Sequence, residues 1–182
     1  MLNSDWTYLT DRLLVKEWHS FASDEWRDQD LAVIVKGILT PRVTHSLPPS
    51  WQGSYTLERA EAWIAERDDE GVALLAIEKS SGNAIGIILL FEAAKDKDGS
   101  DLRLGYMLGE SSWRKGFASE LVNGFVAWCQ DNKIKSVTGG VERDSIASRR
   151  VLEKCGFMHT ASDERSGDQL FVLKIPFRSN NL

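Results

Sequence analysis

The sequence predicts an α/β domain built on a mixed, mostly antiparallel sheet with flanking helices, and two patterns carry that expectation. Between residues 72 and 108, three apolar, β-branched runs follow one another across polar links, as in an antiparallel meander. Between residues 102 and 157, strand-like and helical patterns alternate; such alternation needs crossover connections, so part of the sheet is parallel. The chain has no internal repeat and no low-complexity linker, and its 182 residues suffice for one substantial core. Residues 1–182 are therefore expected to form a single domain.

Taken in order, Leu9 to Trp18 reads as a first strand after a Thr-Asp turn signal. Asp24 to Leu39 has helical periodicity through Trp26, Leu31, Ile34, Val35 and Ile38, closed by Gly37 and Pro41. Residues 40–53 hold three of the four prolines and read as an irregular loop, long enough to suggest function. Ser54 to Arg67 reads as a helix with Thr56 at its N-cap and Leu57, Ala60, Trp63 and Ile64 on one side. Val72 to Ile77 and Ala84 to Phe91 are strands joined by a Ser-Ser-Gly-Asn hairpin signal, and the polar stretch 93–101 separates them from Leu102 to Leu108. The remaining expectations are a helix Lys115–Asn132, a strand Ile134–Val141 and a helix Ser145–Cys155, then strands Phe157–Thr160 and Gln169–Ile175.

Hydrophobic residues at 42% and charged residues at 27% give the profile of a globular chain, and a net charge of −5 argues against a nucleic-acid partner. The two cysteines, Cys129 and Cys155, sit in apolar helical patterns and read as reduced and buried. No signal peptide or membrane span is evident, so a cytoplasmic protein without membrane contact is expected. His19, His45 and His159 lack metal-ligand spacing, and no metal is expected.

The most informative stretch is Leu102 to Leu121, LRLGYMLGESSWRKGFASEL, in which a strand passes through a polar turn into a helix. A helix start has unpaired N–H groups and the positive end of the macrodipole, so it can seat a phosphate. Gly116 and Ala118 keep side chains clear, while Arg114 and Lys115 add positive charge. Neither a mononucleotide loop nor a dinucleotide fingerprint fits: Arg114 stands where the former needs glycine, and G-x-G-x-x-G spacing is missing. A second segment, VERDSIASRRVLEKCGF from Val141 to Phe157, closes a strand, caps a helix with Asp144 or Ser145 and stops it at Gly156.

Together the two segments resemble the GNAT acyltransferase superfamily. The first resembles its acyl-CoA loop Q/R-x-x-G-x-G/A, with Trp113, Gly116 and Ala118 at the first, fourth and sixth places. The second resembles its N-x-x-S-x-x-x-L-E-K-x-G-F signature through Ser145, Ser148, Leu152, Glu153, Lys154, Gly156 and Phe157. The pairing, with the opening Leu9-Thr-Asp-Arg-Leu-Leu-Val15, is similar to the ribosomal-protein-alanine acetyltransferase branch.

The resemblance implies a sheet splayed at strand 102–108 with acetyl-CoA, the cosubstrate, wedged into the opening. Met107 and Leu108 would then offer backbone to the pantetheine, as in strand addition. Arg114, Lys115, Gly116, Phe117, Ala118 and Ser119 would hold the pyrophosphate, and Ser145 and Ser148 would line the thiol end. Many relatives carry Asn where this chain has Ser145, and a thiol-protonating Tyr where it has Leu152; Ser148 is the nearest hydroxyl by motif position. Arg103 stands where some relatives place an acid, which leaves Glu92 and Glu142 as candidate bases. Trp51 and His45 are candidates for the acceptor wall. The implied acceptor is a primary amine: a protein N-terminus, or else a polyamine, amino acid or aminoglycoside. A CoA-binding module without turnover stays open, as does a homodimer.

Overall fold

The structure, a computed structural model, describes residues 5–23 and 31–176. Eight strands form its sheet: β1 (Tyr8–Leu9), β2 (Leu13–Glu17), β3 (Val72–Glu78), β4 (Ala84–Asp96), β5 (Gly99–Leu108), β6 (Ile134–Val141), β7 (Met158–Ser162) and β8 (Gln169–Lys174). They pair in the order β1-β2-β3-β4-β5-β6-β8-β7, and every pair is antiparallel except β5 with β6. That exception follows from the chain. The helix between the two strands carries the backbone across to the other end of the sheet before β6 begins, as a parallel pair requires.

The helices are α1 (Leu31–Ile38), α2 (Pro41–Thr44), α3 (Leu57–Glu70), α4 (Phe117–Asp131) and α5 (Ile146–Lys154). Strand alternation sorts side chains onto two faces. On one, Leu74, Ile88, Leu90, Leu102 and Leu104 pack with Leu121, Val122 and Phe125 of α4 and Leu152 of α5. On the other, Leu75, Ile87, Leu89 and Met107 pack with Val35 of α1 and Ala60 and Trp63 of α3. Each fully buried Leu or Phe contributes about 1.5–3 kcal/mol over its exposed state, so the two faces together hold the sheet between its helices. Gly124 sets how close α4 comes to β1: a Cβ there would lie 2.6 Å from the Thr10 methyl and 2.7 Å from the Tyr8 ring.

Several expected elements change. The first strand is broken in two, because Leu13 donates its N–H to Thr10 Oγ1 and Thr10 donates its own to the Leu13 carbonyl, making a tight turn. The segment 40–53 is not irregular throughout. Thr40 accepts from the Val43 N–H at the head of α2, and Pro49–Trp51 forms a 3-10 turn. Prolines that read as breakers are helix starters here, since the first helical residue has no use for an N–H. The polar stretch 93–101 does not separate two strands; it extends the β4–β5 hairpin, with turn residues only between Asp96 and Gly99. Its polar groups are met across the sheet, Lys135 Nζ by Asp96 and Ser136 Oγ by Asp101. Part of the first expected helix, residues 24–30 with Trp26, lies outside the described residues. Ser145 stands at the N-cap of α5 without a capping side-chain bond.

Candidate active site

The parallel ladder between β5 and β6 runs from Ser100 opposite Ile134 to Leu104 opposite Gly139, and then stops. Yet β5 continues to Leu108 and β6 to Val141. The sheet therefore opens between these strands over their last residues. Gly109 donates its N–H to the Ile85 carbonyl, which fixes the phase of the β4–β5 ladder: Met107 turns its main-chain groups toward β4, while Tyr106 and Leu108 turn theirs into the opening. The Leu108 carbonyl is taken by the Trp113 indole N–H at 2.8 Å. The N–H of Leu108 and both main-chain groups of Tyr106 face the gap with no β6 partner in the ladder.

At the mouth of this opening the chain turns through Glu110–Ser112 into the N-terminus of α4. Gly116, the N-cap, has φ +80°, in the left-handed region where a Cβ is disfavoured. Arg114 also has a positive φ, 60°, and such strain in a non-glycine residue collects at functional turns. No side chain caps the first N–H groups of α4, and Arg114, Lys115 and Gly116 are exposed. Phe117 is buried, and the Arg12 guanidinium lies 4.1 Å from its ring centroid. A recess of about 580 Å³ adjoins the turn on its α1 side, lined in part by Ile34, Ile38, Thr40, Lys115 and Phe117. It lies at the strand ends rather than between β5 and β6.

Tyr106 reaches from β5 to α5 across the same face. Its hydroxyl donates to the Ser148 carbonyl at 3.5 Å, a long bond that holds the proton weakly. Burial raises its pKa to about 12, with the contact to Ser148 and the nearby Cys155 as smaller influences, so the group keeps its proton at neutral pH. Leu152 is buried against Gly139, its Cδ1 2.8 Å from where a Cβ would stand. That position belongs to the core and faces no gap.

The Trp113 indole ties Leu108 to the turn that carries Arg114 to Ser119, the Cys155 thiol after α5 donates to the Ser119 carbonyl, and the Tyr106 hydroxyl meets the Ser148 carbonyl. Ser145 at the N-cap of α5 and Ser148 within it are half-buried. Glu142 is exposed and follows the end of β6 at the rim. Two expectations are corrected. Met107 offers no backbone to the gap, because strand alternation aims it at β4 and its side chain is buried on the opposite face. Glu92 sits opposite Leu102, four residues or roughly 13 Å along the strand from the Tyr106 register. Its carboxylate accepts from Ser100 Oγ at 2.7 Å, so it is engaged within the hairpin. Trp51 packs edge-on to Trp63 with Arg67 4.5 Å from its ring centroid, and His45 is exposed after α2; neither faces the β5–β6 opening through a recorded contact.

Three residues that the sequence reading did not single out belong to this region: Tyr106, Arg12 and Glu120. For Tyr106 the signal was available, since positions 102, 104, 106 and 108 share one strand face. For Arg12 and Glu120 it was not, because they meet across 108 positions of chain. Burial works against ionisation of Glu120, but hydrogen bonds from Thr10 and from the Arg12 main chain and side chain, with the Arg12 charge, hold its pKa below the usual value. Its contribution to stability is therefore present above the ordinary glutamate pKa and is lost as pH falls through the lowered one. In an NMR titration the Glu120 carboxyl should have its midpoint below that of an unpaired glutamate, and Arg12→Ala should move the midpoint up. An unmoved midpoint would remove Arg12 as the cause.

Residues 24–158 match the family described as the acetyltransferase (GNAT) domain. No curated protein matches the sequence. Among solved structures, the chain is similar to an acetyltransferase of the GNAT family from Bacillus anthracis, with TM-score 0.72 and 16% identity over 92% of this chain and 98% of that one. It is similar to a ribosomal-protein-S5-alanine acetyltransferase from Vibrio fischeri, with TM-score 0.70 and 15% identity over 94% and 97%. It is also similar to AAC(6')-Ib in complex with ribostamycin and coenzyme A, with TM-score 0.70 and 14% identity over 90% and 94%.

Proposed function

Because the chain belongs to the GNAT acetyltransferase family, we propose that it transfers the acetyl group of acetyl-CoA to a primary amine, with a protein N-terminal α-amine as the favoured acceptor. The observation that carries this reading is the opening between β5 and β6 beside a glycine-capped helix start. An extended pantetheine arm pairs with unpaired strand backbone as an added strand would, and Tyr106 and Leu108 supply that backbone. The diphosphate sits on the N–H groups from Gly116 to Ser119, with Arg114 and Lys115 beside it. Ser145 and Ser148 flank the thiol end from α5.

In the reaction, the amine nitrogen forms a bond to the thioester carbon and the carbon–sulfur bond breaks, leaving a thiolate. The nucleophile must be neutral. An α-amine titrates near 7.7–8.0 and a lysine-like amine near about 10.4, so the former needs far less help at neutral pH. This favours the N-terminal acceptor, since Glu142, the remaining candidate base, is an exposed acid at the rim. The ammonium proton passes to Glu142 or water. In this reading the N–H of Leu108 polarises the thioester oxygen and the Tyr106 hydroxyl donates to the departing sulfur, a role the buried Leu152 cannot take.

The second reading is a small amine acceptor, favoured by an equally good fold match to a structure holding ribostamycin. The buried, unpaired cysteines suit a reducing compartment such as the cytoplasm. Among the described residues no helix is long and apolar enough to cross a membrane.

Thiol release from acetyl-CoA, followed with peptides bearing free N-termini and with polyamines, amino acids and aminoglycosides, tests the assignment. Peptides should turn over at least about tenfold faster in kcat/KM than any small amine, a difference of about 1.4 kcal/mol in barrier. The reverse ranking would replace the first acceptor class by the second, and thiol release with none of them would sink both.

A further inference from the structure

Arg12 lies in the turn between β1 and β2, and its main-chain N–H, Nε and Nη1 all donate to the start of α4. Its main-chain N–H donates to Glu120 Oε1 at 2.8 Å and its Nε to Glu120 Oε2 at 2.6 Å. Nη1 donates to the Lys115 carbonyl at 3.0 Å. Nη2 stands 3.5 Å from where a Cβ on Gly116 would be. The turn that carries Arg12 is itself anchored: Lys79 donates its N–H to the Arg12 carbonyl at 2.9 Å and its ammonium to the Thr10 carbonyl.

We propose that Arg12 is a positioning residue for the diphosphate of acetyl-CoA: it sets the Lys115–Gly116 peptide and screens the Glu120 carboxylate beside the turn. This rests on the reading that the turn holds the diphosphate. A trans peptide has its C=O and N–H antiparallel, so pinning the Lys115 carbonyl also fixes the direction of the Gly116 N–H. Without Arg12 that carbonyl is free to swing toward an incoming anion. Glu120 lies in the first turn of α4, where its charge opposes any phosphate at the helix start, and Arg12 together with Thr10 Oγ1 engages both of its oxygens. The bridge is partly open to solvent, with the Arg12 side chain at 46% accessibility and that of Glu120 at 18%, so its contribution to folding is modest. Its effect is on the anion instead.

The test compares two acetyl donors that differ in the diphosphate: acetyl-CoA and S-acetyl-N-acetylcysteamine, which has the thioester and an amide but no phosphate. In Arg12→Ala, KM for acetyl-CoA should rise about tenfold, as expected for one lost charge-assisted contact network, with kcat little changed. Kinetics with the truncated donor should not move. Adding Glu120→Gln to Arg12→Ala should recover part of the lost affinity by removing the unscreened carboxylate, and Arg12→Lys should fall between Ala and wild type. Equal losses with both donors would mean that Arg12 only supports the fold, and unchanged acetyl-CoA kinetics would mean that it has no part in the site. Either overturns the proposal, and Arg12→Lys keeps the comparison readable should the alanine variant fail to fold. If wild type shows no preference for acetyl-CoA over the truncated donor, it is the diphosphate assignment that falls, and Arg12's role with it.

Discussion

Gly116→Val should weaken acetyl-CoA binding by about a hundredfold or more, close to 2.7 kcal/mol, while leaving the protein folded. Two effects combine. The φ of +80° is costly for any residue with a Cβ and most costly for a β-branched one, so the turn must shift to accept valine. The new side chain also occupies the space over the helix start, where the structure now has only the distal Arg12 nitrogen at 3.5 Å from the Cβ position. Because that contact is an ordinary one, Gly116→Ala carries mainly the backbone strain and should lose much less. Calorimetric titration with acetyl-CoA over the series Gly, Ala, Val reads the order, and thermal unfolding of the free variants reads their integrity. Valine binding acetyl-CoA as wild type does would remove the turn from the site.

The second large effect is expected at the sulfur. Tyr106→Phe should lower kcat about a hundredfold, the scale of losing one donor to a developing charge, with KM for acetyl-CoA nearly unchanged. The hydroxyl is poised for this role because its bond to the Ser148 carbonyl is long and its proton is retained up to about pH 12. Being a donor whose pKa is raised, it is present at all lower pH values, so wild-type kcat should show no fall from tyrosine ionisation between pH 7 and about 10. An acetyl thioester of an aromatic thiol, whose better leaving group needs less stabilisation, should suffer far less from the substitution. Ser148→Ala is the contrast: it removes the Ser148 hydroxyl and keeps the carbonyl that Tyr106 meets. If Ser148→Ala costs more kcat than Tyr106→Phe, the thiol is served by the serine.

Much of this site is readable in one dimension because its parts are local. Gly116 and its cationic neighbours follow one another directly, and the helix from Ile146 to Lys154 is announced by a stop at Gly156 with φ +88°. The helix start and the strand before it need no distant partner to be recognised. What failed to appear depends on pairing across the chain. The register that turns Met107 away and Tyr106 inward is set by the bond from Gly109 to Ile85, which no property of either residue announces. Glu92 looked like a strand end because the following residues are polar, yet those residues continue the hairpin and meet Lys135 and Ser136 on β6. Pro41 reads as the stop of the preceding helix and Pro49 as part of an irregular loop, and here both open short helical turns. Arg12 falls within the expected opening strand, and only the fold sets it against α4.

The five-residue seam between β5 and β6 has a mechanical consequence. Strands β6, β8 and β7 form a plate hydrogen-bonded to the rest of the sheet through that seam, and beyond it the two plates are bridged by α4, which packs on both, and by contacts such as the Tyr106 hydroxyl with the Ser148 carbonyl. A guest that hydrogen-bonds along the edge of one plate while wedged against the other acts as a splint across the hinge. Its binding energy then adds directly to the cohesion of the whole molecule, so the donor substrate also serves as part of the scaffold for as long as it stays bound.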